Sequence, residues 1–152
     1  GAEVAEITEK NMRDVLEVRK ALEELAVQLA CDKITKEEIE EMKKAAEDFK
    51  KILKSKDITE IAEADVRFHD IIYMATDNQK LIQLLNNLRE QMYRYRVEYL
   101  KREKAHPQLI AEHAAIIEYI SKGEKKAATD IMCKHIDNQV TTLIDVIRTK
   151  QN

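Results

Sequence analysis

The sequence is poor in the residues that interrupt helices and form tight turns. Its 152 residues include only two glycines, one proline and no tryptophan. Because hairpin turns depend on glycine, an architecture of many short strands is disfavoured. By contrast, 44% of the residues are hydrophobic and 36% are charged, an apolar share above that of disordered chains. The composition therefore predicts an all-α protein, and its length predicts one domain with a single core.

The sequence also lacks a basic excess and a long apolar run. The formal net charge is −3 and the pI is near 5.9, so this segment is not expected to bind nucleic acid phosphates by itself. No stretch approaches the roughly 18 apolar residues that cross a bilayer, and no secretory signal opens the chain, so a cytoplasmic location is expected. With only Cys31 and Cys133, we expect two reduced thiols rather than a disulfide framework.

Hydrophobic periodicity predicts six helices with short connections, arranged as an antiparallel bundle. They cover residues 8–32, 35–53, 57–75, 79–104, 106–121 and 124–150. Thr35 and Asp57 are predicted N-caps, each followed three residues later by glutamate, and Gly123 is a predicted helix stop. The predicted inward stripe of the first helix consists of Val15, Val18, Leu22, Leu25 and Leu29. Residues 1–7 are predicted to be a disordered tip or linker remnant.

Four polar residues fall on faces that the apolar pattern marks as buried. Asp65 and His69 lie four residues apart on the third helix, and His113 and His135 lie near the centres of apolar faces on the last two. Burying a lone carboxylate costs several kcal/mol, so Asp65 needs a compensating partner. A divalent metal would provide one, since a carboxylate and three neutral imidazoles suit Zn²⁺, Ni²⁺, Fe²⁺, Co²⁺ or Mn²⁺.

Each of these residues alone has a simpler interpretation. A single inward histidine is more often a core residue satisfied by a hydrogen bond, and Asp65 with His69 could form a buried ion pair. The coincidence of four such residues on three helices favours the metal. His106, at a helix break, is assigned to the surface or to a cap, and Cys133 lies about 200° from His135 on the helical wheel. No metalloprotease motif, phosphate loop or nucleophile elbow is present in the sequence.

The spacing and context of these residues resemble the FCD domain, the C-terminal effector-binding domain of FadR-type regulators in the GntR family of bacterial transcription factors. The resemblance rests on Asp65-x3-His69, on His113 within EHAAIIEYISKGEKKAA and on His135 within MCKHIDNQ. Further matches are EVRKALE at 17–23 and TDNQKL at 76–81. It covers residues 8–150, and six helices rather than seven are similar to the VanR-like branch.

The resemblance implies a metal and a small-molecule effector in the core of the bundle. The four residues would hold one divalent ion, most often zinc, with open positions for water or for the carboxylate of a small organic acid. An arginine can hold the other end of such an acid in a forked geometry. Arg19 and Arg96 are the predicted effector contacts, and Arg89 and Tyr95 are further candidates.

The resemblance also implies partners. A winged-helix DNA-binding domain would precede the first helix, and since only seven residues do so here, the chain is expected to be the sensor part alone, without operator binding of its own. A homodimer is expected, and exposed apolar residues such as Val66 and Met74 agree with it. The implied function is sensing rather than catalysis, with the effector shifting an equilibrium between dimers that bind DNA and dimers that do not.

Two alternatives remain open at this point. The first is a metal-dependent hydrolase or lyase that uses the same site. It lacks an obvious general base, because Glu112 and Asp70 are each adjacent to a histidine in sequence but about 100° away on the helix. The second is a structural or dimerisation bundle in which the histidines are ordinary core residues.

Overall fold

The computed structural model of the protein describes residues 6–151, and within this range the chain is helical with no β-strand. The α-helices are α1 (Glu9–Lys33), α2 (Lys36–Ile52), α3 (Ile58–Ala75), α4 (Gln79–Asn87), α5 (Arg89–Leu100), α6 (His106–Ser121) and α7 (Lys125–Gln151). Two 3₁₀ turns, Leu53–Ser55 and Glu103–Ala105, join neighbouring helices. The all-α prediction is confirmed. The first five residues of the predicted tip lie outside the described part of the chain.

The predicted fourth helix is two helices in the structure because the chain breaks at Leu88. There the backbone has φ −96° and ψ −1°, and the Leu88 N–H donates to the carbonyl of Leu85 in place of a full α-helical bond. Asn86 and Asn87, which are weak helix formers, precede the break. The described residues thus contain seven α-helices rather than six, and the helix count does not support the VanR-like branch.

Local sequence signals fix where several helices begin and end. Thr35 and Glu38 form a reciprocal capping box at the start of α2, and the Asp57 side chain accepts from two backbone N–H groups at the start of α3. Gly123 follows α6 with φ +67°, a left-handed conformation that glycine adopts without strain. These three predictions are confirmed.

The helices pack so that α1 lies along α7, α2 along α3, and α6 against α7. A central apolar cluster draws buried residues from five helices, among them Val27, Met42, Phe68, Ile72, Ile116 and Met132. Its members are buried, so removing their apolar surface from water stabilises the packing of these helices. None of the described helices combines the length and the apolar run that a bilayer-crossing segment needs.

The inward face of α1 differs from its predicted stripe. Val18 is 51% exposed and Leu25 is 42% exposed, whereas Arg19 and Glu23 are fully buried. The remaining buried residues of α1 are Met12, Val15, Leu16, Ala26, Val27 and Ala30. A pattern based on hydrophobicity assumes that charged residues face water, and here polar groups of other helices receive them instead. The helix is therefore rotated, and this rotation brings two charges into the core.

Candidate metal centre

Helix α3 carries the first two predicted ligands on one buried face. Asp65 is 1% exposed and His69 is 0% exposed, and they lie one helical turn apart. The helix begins at the Asp57 cap, and Phe68 and Ile72 anchor the same face in the central apolar cluster. The side chains of the predicted pair therefore point inward, as the sequence pattern requires.

Helix α6 brings His113 to this pair. The His113 Nε2 atom lies 3.0 Å from Asp65 Oδ1, and the His69 Nε2 atom lies 3.7 Å from the same oxygen. One ligand atom from each of the three residues lies within 4.8 Å of the other two. Two donors that each bind one ion at about 2.1 Å in tetrahedral geometry lie roughly 3.4 Å apart. The three residues can thus converge on one metal ion.

The protonation states of Asp65 and His69 suit metal binding. Burial alone would raise the pKa of Asp65, but the hydrogen bond with His113 and the charge of Arg96 outweigh it and hold the pKa well below its ordinary value. Burial lowers the pKa of His69 well below its ordinary value, although the Asp65 carboxylate opposes this change. At neutral pH the pair is therefore a carboxylate and a neutral imidazole, the forms that bind metals.

The ring nitrogens of the histidines provide an independent test of this fit. Neither nitrogen of His69 has a hydrogen-bond partner, and His113 Nδ1 also has none, although all three atoms are buried. Buried polar atoms without hydrogen-bond partners lower the stability of the folded state unless a ligand or ion binds them. The His113 ring is held by stacking on Phe68 and by the edge of Phe49, with centroids 4.1 Å and 4.8 Å away. An ion bound to His69 and His113 would remove part of this cost.

His135 lies beside the three converging residues without belonging to their group. Its ring stacks on that of His69 at a centroid distance of 5.5 Å, and it is fully buried on α7. Its Nδ1 atom lies 3.1 Å from Glu112 Oε1, and its Nε2 atom lies 3.4 Å from the amide nitrogen of Gln139. The structure therefore places all four predicted ligands in one buried region and brings three of them together.

A second group of buried polar residues adjoins the histidines on the side of α1. Arg19 Nη1 donates to Gln139 Oε1 at 2.8 Å, while Arg19 Nε and Nη2 have no hydrogen-bond partner and Nε lies 3.9 Å from Glu23 Oε1. Glu23 accepts from the Tyr73 hydroxyl through Oε1, and its Oε2 atom has no hydrogen-bond partner and lies 3.9 Å from His69 Nδ1. Burial raises the pKa of Tyr73 well above its ordinary value, so this hydroxyl remains a donor.

The other predicted effector contacts occupy different places. Arg96 is 3% exposed and its Nε donates to Asp65 Oδ2 at 2.7 Å, so it supports the predicted ligand directly. Arg89 is on the surface, where it binds Asp70 and Asn86. Tyr95 is buried, but it packs in a separate apolar cluster with α1 and α7. Arg89 and Tyr95 thus lie outside both groups of buried polar residues, the one around Asp65 and the one around Arg19.

The sequence interpretation missed four members of the buried polar network. These are Glu23, Tyr73, Glu112 and Gln139. Two of them could have been found by spacing, because Glu23 follows Arg19 by four residues and Gln139 follows His135 by four. Glu112 does turn away from His113, but by doing so it faces His135.

Known proteins resemble this chain over most of its length. The model of the FCD domain family matches residues 14–138. The uncharacterized HTH-type transcriptional regulator YdhC of Bacillus subtilis (strain 168) is 25% identical over 148 residues, covering 97% of this chain and 66% of YdhC. The crystal structure of a transcriptional regulator (GntR family member) from Pseudomonas syringae pv. tomato str. DC3000 covers 99% of this chain with a TM-score of 0.75. At 17% identity, and with 62% of that regulator covered, this likeness concerns the fold. The chain spans just under two thirds of each protein.

Proposed function

The chain belongs to the FCD domain family, as the resemblance of its sequence indicated, and we propose that it is the ligand-sensing domain of a bacterial GntR-family transcriptional regulator. The observation that carries the proposal is the buried group formed by Asp65, His69 and His113, whose ligand atoms lie within 4.8 Å of one another. Surface acidic clusters are common without a metal, but a fully buried group with unpartnered imidazole nitrogens requires something to complete it.

The metal in this proposal is one divalent ion, held by Asp65, His69 and His113 with His135 as the fourth ligand. The donor set of one oxygen and up to three nitrogens favours Zn²⁺, and it also admits Ni²⁺, Mn²⁺, Fe²⁺ or Co²⁺. When bound, such an ion supplies a Lewis acid that attracts an anionic ligand. Arg96 keeps Asp65 ionised and oriented through its 2.7 Å hydrogen bond.

The effector in this proposal is a small organic acid that binds with its carboxylate near the metal. Arg19 is the best candidate for its other polar end, since two of its guanidinium nitrogens are buried without hydrogen-bond partners. Planar donors of this kind bind carboxylates with two parallel hydrogen bonds. Arg96 is a weaker candidate for this contact, because its Nε already donates a hydrogen bond to Asp65.

The effector would act on a separate winged-helix domain of the full-length, cytoplasmic regulator. A ligand shifts an equilibrium only by its difference in affinity for the two states, and a tenfold shift needs about 1.4 kcal/mol of such difference. We place this equilibrium in a homodimer. Large apolar side chains that are exposed in this chain support that assignment, namely Val18, Leu25, Met74 and Leu84.

We infer sensing rather than catalysis for this domain. Two acidic residues are adjacent to a predicted histidine ligand in sequence, and neither is free to act as a general base. Glu112 is hydrogen-bonded to His135 and Asn138, and Asp70 is hydrogen-bonded to Arg89 at the surface. Steady turnover of an ester or carboxylate substrate, abolished by a chelator, would instead support the hydrolase or lyase alternative.

The first experiment is elemental analysis of the purified chain, with wild type beside His69→Ala and the control His106→Asn. His106 is a half-buried histidine outside the site, and its Nε2 atom lies 2.7 Å from the Leu100 carbonyl oxygen. About one equivalent of a transition metal, lost in His69→Ala alone, is the expected result. Small carboxylic acids should then raise the melting temperature only in the metal-loaded protein. If wild type binds no metal even after reconstitution, the four residues are a buried polar network and the proposal is wrong.

A further inference from the structure

The two nitrogens of His135 have partners that determine which of them carries the proton. Glu112 Oε1 lies 3.1 Å from Nδ1, and Glu112 Oε2 accepts from Asn138 at 3.3 Å. An ionised carboxylate can only accept hydrogen bonds, so the proton of the neutral ring is on Nδ1. The lone pair of His135 is then on Nε2.

Gln139 supports the same assignment from the opposite side of the ring. Its Oε1 atom accepts from Arg19 Nη1 at 2.8 Å, and since arginine has no acceptor, this contact fixes which way the amide points. The amide nitrogen therefore faces His135 Nε2 at 3.4 Å and donates to its lone pair. A metal bound at Nε2 would need the same lone pair.

We propose that Glu112 and Gln139 act on His135 as opposing positioning residues, in which Glu112 presents Nε2 for metal binding and Gln139 competes with the metal for its lone pair. This inference rests on the proposed metal site. It gives a reason why His135 stands beside the other three ligands rather than converging with them, and it predicts mutations of opposite sign.

The test measures Co²⁺ affinity of the purified chain by competition with a chelator, together with the visible spectrum of the bound ion. Glu112→Ala should weaken binding about ten- to a hundredfold, as for other carboxylates that orient a metal-binding histidine. Glu112→Gln keeps an acceptor and should recover much of the loss. Gln139→Leu should strengthen binding roughly threefold, because the 3.4 Å hydrogen bond that it removes is long and weak.

Two controls separate positioning from a general effect on the fold. Glu118→Ala removes an exposed glutamate of the same helix α6, which pairs with Lys122, and should change neither affinity nor spectrum. The decisive control repeats Glu112→Ala and Gln139→Leu in a His135→Ala background. If both residues act through His135, both effects on affinity disappear there. The loss of one nitrogen donor should also alter the Co²⁺ spectrum in His135→Ala.

The outcomes distinguish this inference from the function on which it rests. If wild type binds no Co²⁺, the proposed function is wrong and the inference is wrong with it. If wild type and His135→Ala bind Co²⁺ equally, the site has three protein ligands. This inference is then overturned and His135 is removed from the proposed ligand set, while the proposed sensing function stands. Effects of Glu112→Ala or Gln139→Leu that persist without His135 would likewise overturn it.

Discussion

Helices α1 and α3 each turn one polar pair, four residues apart, into the core. Helix α1 presents Arg19 and Glu23, and α3 presents Asp65 and His69, with all four side chains at most 1% exposed. Both oxygens of Asp65 have partners at 3.0 Å or less. Within the two pairs the closest atoms lie at similar distances, 3.9 Å on α1 and 3.7 Å on α3. The same spacing thus leaves a fully hydrogen-bonded carboxylate on α3 but a carboxylate with one unbonded oxygen on α1.

The difference lies in which atoms are left without partners. On α1 they are charged groups, two guanidinium nitrogens of Arg19 and one carboxylate oxygen of Glu23, whereas on α3 they are the two neutral ring nitrogens of His69. Unpartnered imidazole nitrogens suit a metal, and unpartnered guanidinium nitrogens suit an anion. His69 stands between the regions, with Nε2 facing Asp65 and Nδ1 facing Glu23. We therefore propose a metal region on α3 and an effector region on α1.

The largest effect is expected from breaking the α3 region with Asp65→Ala. This change leaves Arg96 buried without its carboxylate, which should lower the free energy of unfolding by about 3–5 kcal/mol and abolish metal binding. Urea unfolding in the presence of a chelator and metal per chain measure the two effects. Asp70→Ala, on the same helix but at the surface, is the control and should cost less than about 0.5 kcal/mol. Equal losses in both variants would contradict the assignment.

The α1 region should respond with the opposite sign. Replacing Arg19 and Glu23 together by methionine removes two poorly paired buried charges, so the free energy of unfolding should stay equal or rise by about 1–4 kcal/mol. Metal binding should survive, while stabilisation of the metal-loaded protein by carboxylic acids should be lost. Chemical unfolding and thermal shifts with an acid series measure these effects. A loss as large as that of Asp65→Ala would mean that the two regions do not differ.

The two regions also differ in how well the sequence predicts them. On α3 and α6, large apolar residues such as Phe68, Ile72 and Ile116 define the buried face, and a polar residue within that face stands out. The all-α fold, the helix caps and the three converging residues could therefore be predicted. On α1 the inward positions between Leu16 and Val27 hold Arg19, Glu23 and Ala26, while Val18 and Leu25 face outward. Hydrophobic periodicity assigns the wrong face to such a helix.

What the sequence could not supply is the identity of distant partners. Arg19 is tolerated in the core because Gln139 accepts its hydrogen bond across 120 positions of sequence, and Glu23 because Tyr73 donates to it across 50. No local pattern encodes such pairs. The break at Leu88 is a smaller case, since a one-residue interruption hardly changes the apolar periodicity from which one long helix was predicted.

The stability of the metal-free protein as a function of pH tests whether His69 in the α3 region is a buried neutral group. Unfolded histidine binds a proton near pH 6.5, whereas burial holds the pKa of folded His69 well below that value. Below about pH 6.5 the unfolded state therefore binds more protons, and the stability of the metal-free protein should fall by up to about 1.4 kcal/mol per pH unit. His69→Asn should have a shallower slope between pH 7 and 5.5. If its slope equals that of wild type, His69 is not the buried neutral group responsible.

The smallest effect is expected at Arg89, which sequence reasoning offered as an effector contact and which lies outside both regions. Its guanidinium binds Asp70 at the surface, and an exposed pair of this kind contributes about 0.5 kcal/mol or less. Arg89→Ala should therefore leave metal content and the response to carboxylic acids unchanged, as thermal shifts beside Arg19→Ala would measure. Loss of that response in Arg89→Ala alone would place the effector at the surface between α3 and α5 and would overturn the division of the core into two regions.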